Sequence, residues 1–394
     1  MKICLISPNF PPARCGVGDY TCHLARELAR QGWEVAVITA RKPGLTPLQD
    51  DKVEVLPVIE RWDFSAIRQM VNLSKQRQFD VVNFQYVPNA YNKYAIPFPI
   101  CFLPIALRAF SPARVVVTLH ELYYSRSWRL KTALVGWLQR SGLIVLVLGS
   151  HKLIVTTKDR YCRLQELFPW KKKDLALIPV GSNIPVMSVA DEEKEELRRA
   201  IGIREGTLVL VLFGLVNPGK QVSMALQALK NLADKGHDVR LICLGSMGEQ
   251  VLRSMDGMDA TLQEKVIVPG YLSADQVSRY FSISDIYLLP LADGASTRRT
   301  TLFSAMAHGL AIVTTLGQST DVEFLTNDFL KLVPANDERA FVDAVQELAE
   351  NPSLRQRLGH NAQAFYQTHL AWNCIAEQLI EVLGKIAPSY AYYH

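Results

Sequence analysis

Paired cysteines and long apolar runs are both missing from this sequence. Its seven cysteines are scattered and include no Cys-x-x-Cys pair, which argues against a disulfide framework and a structural zinc site. The longest apolar stretch, residues 143–148, is far shorter than the ~20 residues of a membrane-spanning helix. Residues 1–10 have neither the apolar core nor the cleavage site of a signal peptide. These absences predict reduced thiols and a cytoplasmic protein.

Several ligand-binding motifs are absent as well. The sequence contains no Gly-x-Gly-x-x-Gly and no Gly-x-x-x-x-Gly-Lys-[Ser/Thr], which excludes the usual dinucleotide and P-loop signatures. It has no helix-turn-helix, zinc-finger or RNP-type pattern, so we expect no nucleic-acid partner. It has no Asp-x-Asp triplet and no metal-ligand spacing, so we expect no metal cofactor.

Charge is divided unevenly along the chain, although the net charge is only +5. Residues 1–185 contain 25 Lys and Arg against 13 Asp and Glu, whereas the remaining residues contain 18 against 25. A basic half indicates an anionic partner, and the inner face of an anionic membrane is one candidate. A solvated basic surface explains the same charge pattern. The cations that stand beside tryptophan are Arg126, Arg129 and Lys131 around Trp128, and Lys171, Lys172 and Lys173 after Trp170.

Short apolar runs alternate with helical patterns along the whole chain. Runs of β-branched residues such as 115–119 are typical of strands buried on both faces of a parallel sheet, and their alternation with helices indicates βαβ units. The pattern stops at the charged segment 191–199 and restarts at residue 208. We therefore predict two doubly wound domains. Their expected ranges are residues 1–185 and 206–375, with a linker at 186–205. A C-terminal helix and tail at 376–394 could pack on either domain, and the N-terminal domain is one candidate.

Ligands of doubly wound folds bind where loops leave the carboxyl ends of strands. The first such loop leads from a predicted strand at residues 3–7 into a predicted helix at 19–31 and contains Gly16 and Gly18. Glycine allows close approach of backbone to a ligand, and a helix N-terminus favours an anion. A phosphate or a sugar suits this loop. A tight strand-to-helix turn explains its glycines equally well.

Two loops of the second half carry cations where helices are predicted to begin. Lys220 precedes a helix at residues 222–234, where a cation is unfavourable unless an anion offsets it. Arg298 and Arg299 stand among hydroxyl residues before a helix at 302–308, and two arginines in this position favour an anion. Both loops are therefore candidates for binding a diphosphate. A solvated surface turn is the alternative.

Taken together and in order, the motifs resemble the GT-B glycosyltransferases of family 4. The similar segments span nearly the whole chain: GVGDY (16–20), TLH (118–120), IPVGSN (178–183), FGLVNPGK (213–220), GYLS (270–273), SDIYLLP (284–290) and AMAHGLAIVTT (305–315). The resemblance implies an α/β fold in which two Rossmann-like domains face each other across a cleft. It implies a retaining, metal-independent transfer from a nucleotide-diphosphate sugar held by the second domain. The acceptor, held by the first domain, would be a saccharide, a lipid-linked molecule or a small metabolite.

The same resemblance assigns candidate site residues. Those for the donor diphosphate are Lys220, Arg298, Arg299, Thr300, Gly16 and Gly18. Those for the nucleoside are Gly214, Gly245, Tyr271, Leu272 and Ser304, and those for the donor sugar are Ser296 and Thr297. Those for the acceptor are Asp19, Tyr20, Gln85 and Tyr86, and the catalytic candidates are His120 and Asp293. A buried structural histidine is the alternative for His120.

Three family positions carry different residues here. Leu215 stands where the family has an Arg for the diphosphate, and Ser296 and Ser304 stand where it has two Glu residues. We expect the neighbouring arginines to supply the missing positive charge and Asp293 to supply a carboxylate. The lost Glu residues leave two alternatives open. One is a non-catalytic nucleotide-sugar-binding protein, and the other is a GT-B epimerase that acts on the donor alone.

Overall fold

The apolar strands of the sequence assemble into two parallel sheets, each in its own unit of the chain. The structure is a computed structural model that describes residues 1–13, 15–48, 50–92, 97–123, 130–215, 219–255, 259–326 and 328–386. Unit 1 comprises Met1–Val180 together with the segment from Trp372 onward, and unit 2 comprises Gly181–Ala371. Unit 1 is therefore discontinuous in sequence.

Unit 1 contains a seven-stranded parallel sheet with helices on both faces. Its strands are β1 (Lys2–Ile6), β2 (Glu34–Ala40), β3 (Val53–Ile59), β4 (Val81–Tyr86), β5 (Arg114–Leu119), β6 (Lys152–Val155) and β7 (Leu175–Leu177), in the spatial order β3-β2-β1-β4-β5-β6-β7. Its helices are α1 (Gly16–Arg30), α2 (Phe64–Arg77), α3 (Leu103–Phe110), α4 (Leu130–Gly149), α5 (Lys158–Leu167) and the C-terminal α15 (Trp372–Gly384). Short 3-10 helices cover Pro99–Phe102 and Pro169–Asp174.

Unit 2 repeats the same construction with a six-stranded parallel sheet. Its strands are β8 (Leu208–Phe213), β9 (Val239–Leu244), β10 (Val266–Ile267), β11 (Ile286–Leu289), β12 (Ala311–Leu316) and β13 (Lys331–Pro334), in the order β10-β9-β8-β11-β12-β13. Its longer helices are α6 (Asp191–Ala200), α7 (Val222–Asp234), α8 (Met247–Ser254), α10 (Ala274–Ser282), α11 (Thr300–Ala307), α13 (Glu338–Glu350) and α14 (Pro352–His369). Two single turns are α9 (Ala260–Gln263) and α12 (Val322–Leu325).

The prediction of two Rossmann-like domains is confirmed, but their borders differ from the expected ones. The units divide at Val180 rather than at residue 185, and the predicted linker contains α6, which belongs to unit 2. Arg198 of this charged helix donates hydrogen bonds to the carbonyl oxygens of Ile283 (3.1 Å) and Thr207 (2.8 Å). Backbone contacts made by a polar side chain therefore fix α6, which is why its composition resembled a linker.

The C-terminal helix α15 completes the core of unit 1. Its buried residues Ile375, Ala376, Leu379 and Leu383 join an apolar cluster with β1, β2 and α1. Buried residues three or four positions apart form one stripe along a helix. The sequence left the partner of this helix open, and the structure assigns it to unit 1.

The order of strands identifies where each unit has its crevice. In both sheets the order reverses once, between β1 and β4 in unit 1 and between β8 and β11 in unit 2. Open α/β sheets bind ligands at such a switch point, at the carboxyl ends of the strands. Among the residues that the structure describes, no helix has the length and apolar character needed to cross a membrane.

Candidate functional site

The loops after β8 and β11 meet at the switch point of unit 2. The backbone of Lys220 pairs with that of Leu291, and the N–H of Ala292 donates to the carbonyl oxygen of Gly219 (2.8 Å). The side chain of Lys220 turns back so that its Nζ donates to the carbonyl oxygen of Phe213 at the end of β8 (2.9 Å). The ammonium group is thereby held at the crevice of the sheet.

The pKa of Lys220 is strongly lowered in this crevice. Burial, followed by the charge of Arg299, lowers the pKa of its ammonium group to about 8. A partly buried ammonium group with a second cation beside it indicates a site that favours an anion. The structure therefore brings Lys220 and Arg299 into the same crevice.

Two glycines leave the backbone beside Lys220 uncovered. Gly214 has a φ of 124°, and a Cβ built on it would lie 2.7 Å from Nζ of Lys220. Gly245 follows β9 with a φ of 81°, and its Cβ would lie 2.8 Å from the carbonyl oxygen of Gly214. Side chains at either position would displace the lysine or the turn, so the sequence needs glycine here.

Asp293 pairs with both arginines of the second loop. An Nη2 atom of Arg299 lies 2.7 and 2.9 Å from the two carboxylate oxygens of Asp293, and Nη2 of Arg298 lies 3.3 Å from one of them. Arg299 is the less exposed arginine, with 18% of its side chain accessible against 42% for Arg298. Asp293, predicted as a catalytic carboxylate, therefore serves as counter-charge to both arginines in this structure.

The loop that carries Asp293 is fixed by the segment after β12. Gly294 has a φ of 90°, and a Cβ on it would lie 2.4 Å from the backbone nitrogen of Gly317. The N–H of Ser319 donates to the carbonyl oxygen of Asp293 (2.8 Å), and the N–H of Thr297 donates to the carboxylate of Asp321 (2.6 Å). Thr300, the first residue of α11, follows this anchored loop and presents the helix N-terminus beside the arginines.

The two serines that replace the family carboxylates have different surroundings. Ser296 is 3% exposed, and its Oγ has no hydrogen-bond partner among the described residues. Ser304 lies inside α11, where its Oγ contacts the carbonyl oxygen of Thr300 (3.1 Å) and the Oγ of Ser182 (3.0 Å). The hydroxyl of Ser304 is thus committed within the protein, which corrects its expected contact with a nucleoside.

The other nucleoside candidates lie further along the same edge of the sheet. Tyr271 and Leu272 follow β10, which pairs with β9, the strand that ends before Gly245. Tyr271 is 73% exposed. The loops after β10, β9, β8 and β11 therefore stand in this order along the carboxyl edge of unit 2.

In unit 1, His120 lies at the carboxyl end of β5. Its Nε2 is 2.9 Å from Oε1 of Gln85 on β4, and the ring of Tyr20 packs edge-on against it with a centroid distance of 4.7 Å. Burial of the ring, followed by the charge of Arg160, lowers the pKa of His120 to about 3. The histidine is therefore neutral at physiological pH. An Nε2–H that donates to Gln85 leaves Nδ1 as the unprotonated nitrogen.

The start of α1 holds the remaining candidates of unit 1, Gly16 and Gly18 for the diphosphate and Asp19 and Tyr20 for the acceptor. A Cβ on Gly16 would meet no atom within 4 Å, whereas one on Gly18 would lie 2.9 Å from the carbonyl oxygen of Asn9. Gly16 is therefore open, and Gly18 is required for packing of the loop. Burial raises the pKa of Asp19 to about 6. Tyr20 is 4% exposed, and its contact with the site is made through His120.

The structure corrects the prediction for Tyr86. Successive side chains of a strand point to opposite faces of the sheet, so Gln85 lies on the face of His120 and Tyr86 on the other. Tyr86 is fully buried and its hydroxyl lies 3.9 Å from Sγ of Cys101. It is a core residue rather than an acceptor contact.

Three residues of these crevices were not predicted from the sequence. They are Arg160 beside His120, Asp321 beside Thr297, and Ser182 beside Ser304. Arg160 lies in the first turn after β6, a strand that the apolar pattern did not predict, although the hydroxyl pair Thr156 and Thr157 marks its carboxyl end. No pattern in the sequence indicates the other two, because their contacts join distant segments.

Some predictions fall outside the described part of the chain. They concern Val216, Asn217 and Pro218 of the lysine loop, Arg126, Trp128 and Arg129 of the first basic cluster, and the side chain of Lys131. Within the described ranges, no group of three or more His, Cys, Asp or Glu side chains is arranged to hold a metal ion.

Two family models match the chain, one in each half. Residues 15–184 match "Glycosyltransferase Family 4", and residues 193–365 match "Glycosyl transferases group 1". Together the two matches leave only the extreme ends and a short central segment uncovered.

Curated relatives and solved structures agree with this assignment. A phosphatidyl-myo-inositol mannosyltransferase of Mycobacterium leprae is 29% identical over 55% of this chain, and that match spans only 55% of its own length. A D-inositol 3-phosphate glycosyltransferase of Corynebacterium diphtheriae is 21% identical over 98% of this chain and 95% of its own.

Solved structures share the fold over nearly the whole chain. A glycosyltransferase of Rickettsia africae superposes with a TM-score of 0.71 at 14% identity, covering 98% of each chain. Anabaena HepE in complex with UDP-glucose superposes with a TM-score of 0.68 at 15% identity, covering 98% of this chain and 100% of its own. At these identities the superpositions show the GT-B type of fold. With a family model matching each half, the chain belongs to the group 1, family 4 glycosyltransferases and is an enzyme of that class.

Proposed function

We propose that the chain moves a sugar from a nucleotide-diphosphate sugar to an acceptor hydroxyl, with retention at the anomeric carbon and without a bound metal. The observation that carries the proposal is the gathering of Lys220, Arg298 and Arg299 at the switch point of unit 2. A nucleoside diphosphate has the charge to match this cluster.

Unit 2 is proposed to hold the donor through its cations and open backbone. Arg299 is positioned by Asp293 with its Nε buried and without a hydrogen-bond partner in the described residues. A phosphate oxygen would satisfy that N–H and the ammonium group of Lys220 together. Gly214 and Gly245 would let the nucleotide approach the sheet edge closely.

Chemistry at the sugar follows from the same charges. As the bond between the anomeric carbon and the diphosphate oxygen breaks, the diphosphate gains negative charge and the sugar becomes cationic. Lys220, the arginines and the N-terminal amides of α11 would stabilise the leaving diphosphate. The acceptor oxygen then bonds to the anomeric carbon from the same face, and its proton passes to the leaving phosphate oxygen.

Unit 1 is proposed to present the groups that face the acceptor and the transferred sugar. His120 is neutral and oriented by Gln85, which suits a hydrogen-bonding role better than that of a general base. Asp19, at the start of α1 and with a raised pKa, is the candidate to contact an acceptor hydroxyl. Two relatives carry lipid names, a phosphatidyl-myo-inositol mannosyltransferase and an alpha-monoglucosyldiacylglycerol synthase, and they make a lipid-linked acceptor one class to test.

A thermal-shift screen of UDP, GDP, ADP, TDP and CMP, first with a chelator and then with magnesium, tests the donor site. A ligand at about 100 times its Kd stabilises the folded protein by about 2.7 kcal/mol, which shifts the melting temperature visibly. We expect one nucleotide to stabilise the wild type in chelator and to lose that effect in Lys220→Met. The matched control is Lys230→Met, which removes an exposed lysine of the same unit. Stabilisation that requires magnesium, or that survives Lys220→Met, contradicts the proposed site.

Transfer itself is tested with radiolabelled nucleotide sugars in which a hexose is attached to the nucleotide that stabilised the protein. We expect sugar transfer to lipid or saccharide acceptors, and we expect His120→Ala to lower the rate while the thermal shift by the nucleotide remains. Donor consumption without acceptor, or binding with no turnover for any acceptor, would instead favour an epimerase or a binding protein.

A further inference from the structure

Helix α4 of unit 1 presents an apolar stripe to solvent. Leu134, Trp137, Ile144 and Leu148 are 59%, 63%, 48% and 55% exposed. Their spacings of three, seven and four residues place them on one side of the helix. At 1.5 Å per residue the stripe is about 21 Å long. Exposed apolar surface of this extent marks interaction sites on soluble domains.

The composition of α4 differs from that of an ordinary surface helix. Its 20 residues include no carboxylate and only two cations, Lys131 and Arg140. The opposite side is buried in the core of unit 1 through Leu143, Leu146 and Val147. A helix that is apolar all round is normally covered on every side. Within the described residues, α4 is covered on one side only.

The stripe continues onto the neighbouring helix α3. A Cβ on Gly149, at the end of α4, would lie 2.6 Å from the backbone nitrogen of Ile105 and 2.9 Å from its Cγ1. The two helices therefore touch next to Leu148. Ile105 is itself 39% exposed and extends the apolar surface beyond the end of α4.

Cations border this end of the stripe. Burial lowers the pKa of His151, two residues after α4, and the charges of Arg108, Arg114 and Lys171 lower it further. Three cations are therefore gathered around one histidine, together with Asp174, whose charge raises this pKa and which pairs with Lys171 (3.3 Å). Nζ of Lys171 donates to the carbonyl oxygen of Ser150 (2.8 Å), whereas Arg108 and Arg114 are exposed.

We propose that this face of unit 1, the α4 stripe with Ile105 and its cationic border, docks on the surface of an anionic lipid bilayer. The apolar side chains would enter the headgroup region while Arg108 and Arg114 meet lipid phosphates. A second copy of the chain is a poorer occupant, because a two-fold pair presents the same face twice and α4 has no carboxylate to match the cations. The proposal goes beyond the transfer reaction and uses none of its residues.

Docking through α4 would place the candidate acceptor edge near the lipid. In a βαβ unit the connecting helix runs from the carboxyl edge of the sheet back to its amino edge. Helix α4 follows β5 in the chain, so it begins at the edge that carries His120. A lipid-linked acceptor in the same bilayer would then reach that edge without leaving the membrane.

Co-sedimentation of the full chain with vesicles tests this docking. We compare phosphatidylcholine vesicles with vesicles containing about 30% phosphatidylglycerol, at about 0.1 M and about 0.5 M NaCl. We expect at least about tenfold stronger binding to the anionic vesicles at low salt, and most of it lost at high salt. The triple variant Trp137→Ser, Ile144→Ser, Leu148→Ser and the double variant Arg108→Glu, Arg114→Glu should each lower binding at least about tenfold.

Matched variants in unit 2 distinguish docking through α4 from non-specific vesicle binding and from misfolding. Leu252→Ser with Val322→Ser removes equally exposed apolar side chains, and Arg339→Glu reverses an exposed charge. These controls should bind vesicles as the wild type does, and every variant should keep the wild-type melting temperature and response to nucleotide. Equal binding by the α4 variants, or no preference for anionic vesicles, overturns the proposal. A wild-type dimer in light scattering that the triple variant dissociates also overturns it, since a second copy would then cover the stripe.

Discussion

Arg298 and Arg299 share one carboxylate partner but differ in surroundings. Arg299 is mostly buried and bonds both oxygens of Asp293, whereas Arg298 is more exposed and makes one longer contact. A planar guanidinium that is fixed in place can give two parallel hydrogen bonds to a phosphate, which an ammonium group does not reproduce. The two residues should therefore respond differently to the same substitution.

We expect Arg299→Lys to weaken nucleoside diphosphate binding by about 10- to 100-fold, because charge-assisted hydrogen bonds contribute about 1.5–3 kcal/mol. Arg298→Lys should change the Kd less than about fivefold, as an exposed charge contributes little. Titration calorimetry of the two variants measures both values. The reverse order would show that Arg298 is the principal phosphate ligand.

The lowered pKa of Lys220 predicts a pH dependence of donor binding. A bound diphosphate favours the charged ammonium group, so binding raises a pKa that burial and Arg299 hold at about 8 in the free protein. Affinity should be constant below about pH 7 and should fall as the pH rises through 8, by up to about tenfold per unit. Lys220→Arg keeps the charge to much higher pH and should flatten the profile. A wild-type profile that is flat between pH 7 and 9 contradicts this assignment.

The lowered pKa of His120 predicts that the protein loses stability at acidic pH. Its pKa is lowered to about 3 in the folded state, so the unfolded chain binds the proton more readily between about pH 3 and 6.5. The free energy of unfolding should therefore fall as the pH decreases through this range. Urea denaturation at pH 7 and pH 5 should show a smaller decrease for His120→Gln than for the wild type. An equal decrease in the two proteins would mean that protonation of the His120 ring does not destabilise the folded state.

At the level of elements, the anchored loop after β11 positions the arginines. Gly294 and Gly202 both have positive φ values, of 90° and 73°, but only Gly294 is crowded. A Cβ there meets the backbone of Gly317, whereas one on Gly202 meets no atom within 4 Å.

Alanine substitutions at the two glycines separate strain from crowding. Gly202→Ala should cost about 1–2 kcal/mol of unfolding free energy through its backbone conformation alone. Gly294→Ala should cost more and should also weaken nucleotide binding, because the loop must move away from residues 317–320. Chemical denaturation and calorimetry give both quantities. Equal stabilities and unchanged binding would show that the loop adapts.

The elements that the sequence predicted are the ones with unbroken apolar runs. The apolar pattern predicted strands at residues 208–213 and 286–289 and a helix at 222–234, and β8, β11 and α7 have these bounds. Both strands have a buried apolar centre, and the buried residues of α7 recur at helical spacing. The edge strands β3, β7 and β13 and the short β6 were missed. Strands β3 and β13 mix polar or proline residues with apolar ones, and β7 has only three residues. Strand β6 follows directly on the apolar helix α4.

The candidate site was predictable as a set of charges but not as an arrangement. Lys220 and the arginines were recognised by their position before helices. Asp293 neutralises the arginines, and the hydroxyl of Ser182 hydrogen-bonds that of Ser304. Both contacts depend on loops packed from distant parts of the chain, which no local pattern predicts. The sequence pattern predicted a strand at residues 81–84, whereas β4 continues to Tyr86, and strand alternation over these two further residues would have excluded Tyr86.

For the whole molecule, the discontinuity of unit 1 makes the two units unequal. Unit 2 consists of one continuous segment, Gly181–Ala371, whereas unit 1 needs α15 from the far end of the chain. Helix α15 covers an apolar surface formed by α1 and the central strands, with Leu379 and Leu383 buried in it.

Fragments should therefore behave differently. Residues 181–371 alone should fold and keep the thermal response to the donor nucleotide. Residues 1–180 alone should aggregate, and a flexible linker that joins residues 372–386 to them should restore a cooperative unfolding transition. Circular dichroism with analytical ultracentrifugation measures these outcomes. A stable, monomeric 1–180 fragment would show that α15 adds little to unit 1.

The late position of α15 also sets an order of events on the ribosome. Chains grow at about 5–20 residues per second, so about 10–40 seconds separate the synthesis of β7 from that of α15. During this interval unit 2 emerges whole, while the first unit still exposes the apolar surface that α15 will cover. A nascent chain of this enzyme therefore offers this apolar surface to a chaperone, and α15 displaces the chaperone once it has been translated.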